Sequence, residues 1–198
     1  MSVNIALIAG SSRTNSQTAK VALFLGQRLK ALDICATPRV IDLARSPLPM
    51  WPGEDVEGIW ADHAQVLRGA DAVVVLAPEW HGMAAPAIKN LFMYASYKEV
   101  GHKPALLVSI SSGQGGAYPL SELRASSYKN NRVCYLPEHI IVRQVESVMN
   151  TGEAKTADDL RIRQRADWTL QMLGHYAQAM QPLRGLISMD SVEFTNGM

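Results

Sequence analysis

Apolar and polar positions fall along this chain in two alternating kinds of block. Val3 to Ala9, Arg39 to Leu43, Ala72 to Ala77, Ala105 to Ile110 and His139 to Val142 are short, mostly apolar runs rich in β-favouring residues. Runs of this length that end in turn residues read as strands, and near-continuous apolarity implies burial on both faces. Between them, apolar residues recur at helical spacing. One stripe is Ala19, Ala22, Leu25, Leu29 and Leu32, closed by Asp33, and another is Val56, Ile59, Trp60, His63, Ala64 and Leu67. Further helices are predicted from Pro86 to Ser96 and from Leu120 to Tyr128. Thr156, with Asp159 three residues later, reads as a capping box. It opens a long helix with Leu170, Leu173, Tyr176, Ala177 and Met180 on one face. The chain reads as a single domain over residues 1–198, with 182–198 as a loose C-terminal arm.

Five strands alternating with five helices predict an α/β fold of three layers, a parallel sheet with helices on both faces. Ligands of such sheets bind outside the carboxyl ends of the strands, near the point where strand order reverses. Three segments that follow strands are rich in Gly, Ser or Pro: 10–18, 78–84 and 111–116.

Composition narrows the classes of function. The 198 residues are 47% hydrophobic, enough for one domain with a sizeable core. The net charge of +1, from 19 basic and 18 acidic residues, carries no footprint for nucleic acid or an anionic membrane. Cys35 and Cys134 lack C-x-x-C spacing, so they are expected to be core thiols and not disulfide partners or zinc ligands. No metal site is expected. Without a secretory leader pattern or a membrane-length apolar run, the expected location is the cytoplasm.

The first loop is Gly10-Ser11-Ser12-Arg13-Thr14-Asn15-Ser16-Gln17-Thr18. It leads from a buried strand into a helix, whose N-terminus offers unpaired N–H groups and the positive end of the dipole. Hydroxyl side chains add donors, and Arg13 can hold a phosphate in bidentate fashion. Ser, Thr and Asn also favour ordinary N-caps; so many donors together with an arginine favour a phosphate site. A Walker loop and a G-x-G-x-x-G turn are both missing. A hydroxyl-lined loop without those glycines points to a mononucleotide such as FMN. In the second loop, Pro78-Glu79-Trp80-His81-Gly82-Met83, Trp80 is a candidate wall for a planar ring, although an isolated Trp is more often core. His81 is read as a binding residue and not a proton shuttle. The third loop, Ser112-Gly113-Gln114-Gly115-Gly116, lets backbone approach a ligand closely. There is no G-x-S-x-G elbow, which disfavours a hydrolase.

These residues resemble the NADPH-dependent FMN reductases of the flavodoxin-like superfamily, whose members include quinone, chromate and azo-dye reductases. Their first loop runs roughly Gly-Ser-x-Arg-x-x-Ser-x-Asn, matched from Gly10 to Thr18. Their second runs Pro-Glu-Tyr-Asn-x-Ser-x-Pro-Gly-x-Leu-Lys-Asn, matched from Pro78 to Asn90. A Ser-x-Gly-x-x-Gly-like turn matches Ser112 to Gly116, and the resemblance covers about residues 3 to 145. Thr18, Trp80, His81, Met83 and Pro86 stand where the family usually has Asn, Tyr, Asn, Ser and Gly.

The resemblance implies a five-stranded sheet in the order 2-1-3-4-5, with FMN at the strand ends. Ser11, Arg13, Ser16, Gln17 and Thr18 would hold its phosphate. Pro78, Glu79, Trp80, His81 and Gly82 would line the ribityl chain and ring, and Ser112, Gly113 and Gly116 the ring's other side. Hydride would pass from NADPH or NADH through FMN to a small acceptor such as a quinone, an azo compound, free flavin or a metal oxyanion. The flavin would carry the chemistry with no catalytic side chain, and backbone amides around Gly113 to Gly116 would steady negative charge on its pyrimidine edge. The resemblance further implies a homodimer or homotetramer. The alternative is a non-enzymatic FMN-binding electron carrier or a regulatory protein of the same fold. The loop from Val145 to Lys155 lies outside the matched motifs.

Overall fold

A computed structural model describes residues 3–187. In chain order its elements are β1 (Ile5–Ala9), α1 (Gln17–Ala31), β2 (Arg39–Asp42), α2 (Ile59–Arg68), β3 (Ala72–Trp80) and β4 (Met83–Ala84), followed by α3 (Pro86–Tyr94), α4 (Tyr97–Val100), β5 (Pro104–Ile110), α5 (Tyr118–Ser126), β6 (Cys134–Val142) and α6 (Ala157–Leu186). Five parallel strands pair in the order β2-β1-β3-β5-β6, and the two-residue β4 pairs antiparallel with β3 alone. With β4 set aside, this is the expected 2-1-3-4-5 order.

Strand alternation sorts the core into two layers. Ile5, Leu7 and Ala9 of β1, Val74 and Leu76 of β3, and Leu106 and Val108 of β5 face α1 and α6. Their neighbours Ala6, Ile8, Val73, Val75, Ala105 and Leu107 face the side of α2, α3 and α5. All five residues of β1 and all seven of β5 are buried, so burial on both sides explains why these runs read as uninterrupted apolar blocks.

The elements depart from the sequence expectations in informative ways. Strand β3 does not stop at Ala77 but continues through Pro78 to Trp80, and β6 begins at Cys134, five residues before His139. An irregularity in the β5–β6 register falls between Ala105 and Leu107, opposite the segment that contains Pro137. A proline cannot donate to a ladder, which hid the first half of β6. Helix α2 starts at Ile59, because the Asp55 carboxylate accepts the N–H groups of Ile59 and Trp60 and Gly58 takes a left-handed φ of 69°. Val56, counted in that stripe, is 82% exposed. The short α4 carries a full capping box, Ser96 with Glu99. At α6 only half of the expected box forms: Thr156 accepts the Asp159 N–H, while the Asp159 carboxylate turns to the Met149 and Lys155 N–H groups. Leu170, Leu173 and Ala177 are buried on α6, but Tyr176 is exposed.

Cys35 is buried and Cys134 half-buried. The expected arm does not begin at 182. Helix α6 runs through Pro182, and Arg184 binds the Asp71 carboxylate at 2.8 Å. Residues 188–198 of that arm lie outside the described residues. Among the described residues no helix is long and apolar enough to cross a membrane.

Candidate functional site

Loops 10–16, 78–85 and 111–117 meet at the carboxyl ends of β1, β3 and β5, beside the reversal of strand order between β1 and β3. The first loop leaves the sheet through Gly10, whose N–H donates to the Leu76 carbonyl at 2.9 Å. A methyl group there would lie 2.6 Å from that carbonyl oxygen and 2.8 Å from Ile88 Cβ, so only glycine fits this crossing of β1 over β3 and α3. Ser11 is buried, and its Oγ accepts the Arg13 N–H. Asn15 takes a left-handed φ of 53° and turns the chain into α1. Ser16 is the N-cap, with Oγ accepting the Ala19 N–H at 3.1 Å.

The first turn of α1 contains no acidic residue. Among the described residues the N–H groups of Gln17 and Thr18 donate to no protein acceptor. Gln17 Oε1 is buried without a hydrogen-bond partner. Lys20, one turn further on, points away from the loop. Its Nζ donates to the carbonyls of Val145 and Val148 and to Asn150 Oδ1, at 2.5, 2.9 and 2.9 Å. Burial pulls the Lys20 ammonium below its ordinary pKa, against the opposing fields of Asp159 and Glu146. Val145, Val148 and Met149 are themselves buried, so the start of the 145–155 loop packs into the core beside α1.

The second loop is a β-hairpin. Trp80 pairs with Met83 across a two-residue turn in which His81 and Gly82 both have positive φ, 51° and 73°. That is the geometry of a type I′ turn, which matches the right-handed twist of its strands. His belongs, with Asn and Asp, to the non-glycine residues enriched at positive φ. His81 is exposed and stands at the tip, while Trp80 is half-buried. The Trp80 ring lies 4.7 Å beneath the Arg13 guanidinium, which joins the first loop to the second.

Glu79 joins the second loop to the third. Its Oε2 accepts the Gly116 N–H at 2.7 Å and the Tyr118 N–H at 3.4 Å. The third loop is braced from its other side as well. Arg143 Nε donates to the Gly115 carbonyl at 3.0 Å, the Gln144 N–H to the Gly113 carbonyl at 3.0 Å, and the Val145 N–H to the Ser111 carbonyl at 3.1 Å. Ser111 Oγ accepts the Gly113 N–H. The amides of Gly113 and Gly116 are thus engaged within the protein. Within residues 112–116, those of Ser112, Gln114 and Gly115 have no protein acceptor among the described residues.

Of the thirteen expected binding residues, all lie on these three loops or in the first turn of α1. Glu79 acts there as a bridge between two of them. Sequence reading missed Ser111, Glu122 and Arg143. Glu122, in the middle of α5, accepts the Ala84 N–H at 2.7 Å and pairs with Lys89 at 2.6 Å, so it pins the hairpin to α3 and α5. Its Lys89 and Ala84 bonds hold its carboxyl below the usual range. Outside the hairpin a groove of about 950 Å³ is walled by Met50, Trp51, Trp80, His81, Met83 and Met93. Met50, Trp51, Met83 and Met93 are exposed there.

The family model described as NADPH-dependent FMN reductase matches residues 3–146, which contain all three loops. The NADPH azoreductase of Bacillus sp. (strain OY1-2) is 30% identical over 129 residues, covering 63% of this chain and 68% of that protein. The FMN-dependent NADPH-azoreductase of Staphylococcus aureus (strain USA300) is 29% identical over 125 residues, 60% of this chain and 65% of that protein. Among solved structures, the flavoenzyme NAD(P)H:(acceptor) oxidoreductase FerB from Paracoccus denitrificans superposes with a TM-score of 0.68 at 18% identity. That superposition covers 90% of this chain and 98% of the other, and it speaks for the fold.

Proposed function

We propose that this chain, which belongs to the NADPH-dependent FMN reductase family, NAD(P)H-dependent oxidoreductases whose cofactors are FMN and NADPH, reduces small planar acceptors of the azo or quinone class. When bound, FMN supplies the chemistry, accepting hydride from NADPH and passing the electrons on. The chain's own residues bind, orient and shield.

The residues present fit such a group, and the observation that carries the reading is the open first turn of α1. Its Gln17 and Thr18 amides lack protein acceptors, and the buried amide end of Gln17 has no partner. Turned over, that side chain donates an N–H, since the two ends of an amide are interchangeable by a flip. A buried donor left without a partner costs about 1–3 kcal/mol unless something accepts from it. A phosphate at a helix N-terminus satisfies them and gains from the dipole. Arg13 adds the positive charge, with Ser11, Ser16 and Thr18 alongside. The hairpin from Pro78 to Gly82 would line one edge of the ring. The unengaged amides of Ser112, Gln114 and Gly115 would face its pyrimidine edge, where donors steady negative charge.

The Trp51, Met83 and Met93 wall beyond the hairpin supports a flat, apolar acceptor over a metal oxyanion. The same exposed patch supports association of two or more copies. A cytoplasmic location, where NADPH is kept reduced, belongs to this reading. The test is to titrate the purified protein with FMN and then follow NADPH and NADH oxidation with azo dyes, quinones and metal oxyanions in parallel. Saturable flavin binding and turnover with the aromatic acceptors are expected. Protein that binds flavin yet oxidises no NADPH with any acceptor sinks the enzymatic assignment in favour of a carrier.

A further inference from the structure

Arg13 stands in an exposed loop, and among the described residues its guanidinium makes no hydrogen bond or ion pair. A free arginine side chain samples many rotamers, and that freedom is lost when it grips a ligand. Here one contact restrains it: the face of Trp80, 4.7 Å from the guanidinium carbon. A cation stacked on an aromatic face keeps its N–H donors at the rim of the plane, free to form a bidentate pair with a phosphate. The hairpin that carries Trp80 is in turn held at three points. Trp80 pairs with Met83 across the His81–Gly82 turn, its neighbour Glu79 is bound to Gly116, and Ala84 is bound to Glu122.

From this geometry we infer that Trp80 is a positioning residue for Arg13, and that the pair makes the site select phosphorylated flavin, FMN, over riboflavin. The inference rests on the placement of phosphate at the first loop proposed above. The hairpin then contributes at the phosphate end of the site, besides lining the ring. Trp is the strongest of the aromatic faces for a cation, and its indole spans enough area to reach the neighbouring loop.

The experiment compares Kd values for FMN and riboflavin, by flavin-fluorescence quenching, in the full-length protein and in Arg13→Ala, Trp80→Ala, Trp80→Phe and the Arg13→Ala/Trp80→Ala double variant. The unsubstituted protein is expected to prefer FMN. Trp80→Ala should weaken FMN by roughly three- to tenfold more than it weakens riboflavin, whose loss reports the ring contact alone; that excess is the order expected for a stacked cation together with its preorganisation. The preference therefore contracts. Trp80→Phe, which keeps an aromatic face, should retain much of it. The double variant should show no greater contraction than Arg13→Ala alone, since both changes remove one coupled unit. If Trp80→Ala weakens both flavins equally, Trp80 only walls the ring and the inference is overturned. If Arg13→Ala contracts the preference and Trp80→Ala leaves it intact, the inference also fails while the phosphate assignment stands. If Arg13→Ala itself leaves FMN affinity unchanged, the phosphate assignment falls and takes the inference with it. Unfolding curves for each variant separate these outcomes from loss of fold.

Discussion

The Glu79 carboxylate accepts the Gly116 N–H at 2.7 Å across 37 residues of sequence, so the hairpin after β3 and the loop after β5 form one connected rim. Gly116 is buried, and losing its acceptor leaves an N–H unpaired. Glu79→Ala is expected to cost about 1–3 kcal/mol, and Glu79→Gln less, since its amide oxygen still accepts. At Gly115 an added methyl would lie 2.4 Å from Glu79 Oε1, a side-chain end that can move aside. At Gly116 it would lie 2.5 Å from Ile141 Cγ2 on a backbone with φ of 105°. Urea unfolding should therefore rank Gly116→Ala as more damaging than Gly115→Ala. The reverse order would show that Glu79 cannot yield.

His81 and Gly82 both occupy left-handed backbone. His81→Asn should preserve stability within about 0.5 kcal/mol, while His81→Val should lose about 1–2 kcal/mol. Thermal melts of the two variants decide this. Equal melting temperatures would mean that the turn relaxes to another type.

Asp159 is buried on α6 and binds Arg163 Nε at 2.8 Å and the Met149 N–H at 2.8 Å. Burial opposes its ionisation, but the Arg163 bonds and the two backbone donors together outweigh it and hold the carboxyl below its ordinary 3.8. A depressed carboxyl adds stability above its unfolded value and loses it as pH falls through the folded one. Asp159→Asn should thus be ~2–3 kcal/mol less stable than the unsubstituted protein at pH 7. The gap should close below about pH 4, near the ordinary carboxyl value. A gap that stays constant from pH 7 to pH 3 would locate the loss in shape, not in charge.

Lys103 carries the opposite signature. It is buried, and its Nζ donates to the carbonyls of Leu67 and Arg68 at the end of α2. Burial first, then Arg184, pulls its pKa down to about 8, against Asp71 and Glu99. The folded protein binds that proton less tightly than the unfolded chain, so this residue adds stability as pH climbs from about 8 toward 10.5. Melting temperatures of the unsubstituted protein and Lys103→Met should diverge over that window in favour of lysine. A difference that does not change with pH excludes a proton-linked role.

The legible parts of the fold were those where one stretch of chain decides its own environment. Val73, Val74 and Val75 are buried on both faces of the sheet and read as a strand without help. Ser16 caps α1 as its position suggests. What escaped were features settled by distant partners. Pro78 reads as a strand end, yet the strand continues because the hairpin returns and the Ala85 N–H finds the Pro78 carbonyl. Pro182 reads as the end of a helix, yet Arg184 beyond it is anchored on Asp71, 113 residues away. The site divides in the same way. The three loops were visible as turn-rich segments after strands, whereas Glu122 and Arg143 look like ordinary surface charges until the fold sets them against Ala84 and Gly115.

The direction in which Lys20 points has a consequence for ionic strength. With its ammonium enclosed by the carbonyls of Val145 and Val148, Arg13 is the one basic side chain of residues 10–20 left facing outward. A dianion seated there would meet a single exposed cation, Arg13, and beside it neutral amides and hydroxyls at short range. Such contacts are little affected by mobile ions, whose screening acts on exposed charges about 8–10 Å and more apart. A site of this construction would keep its ligand as salt rises, where a lysine-rich cradle would let it go.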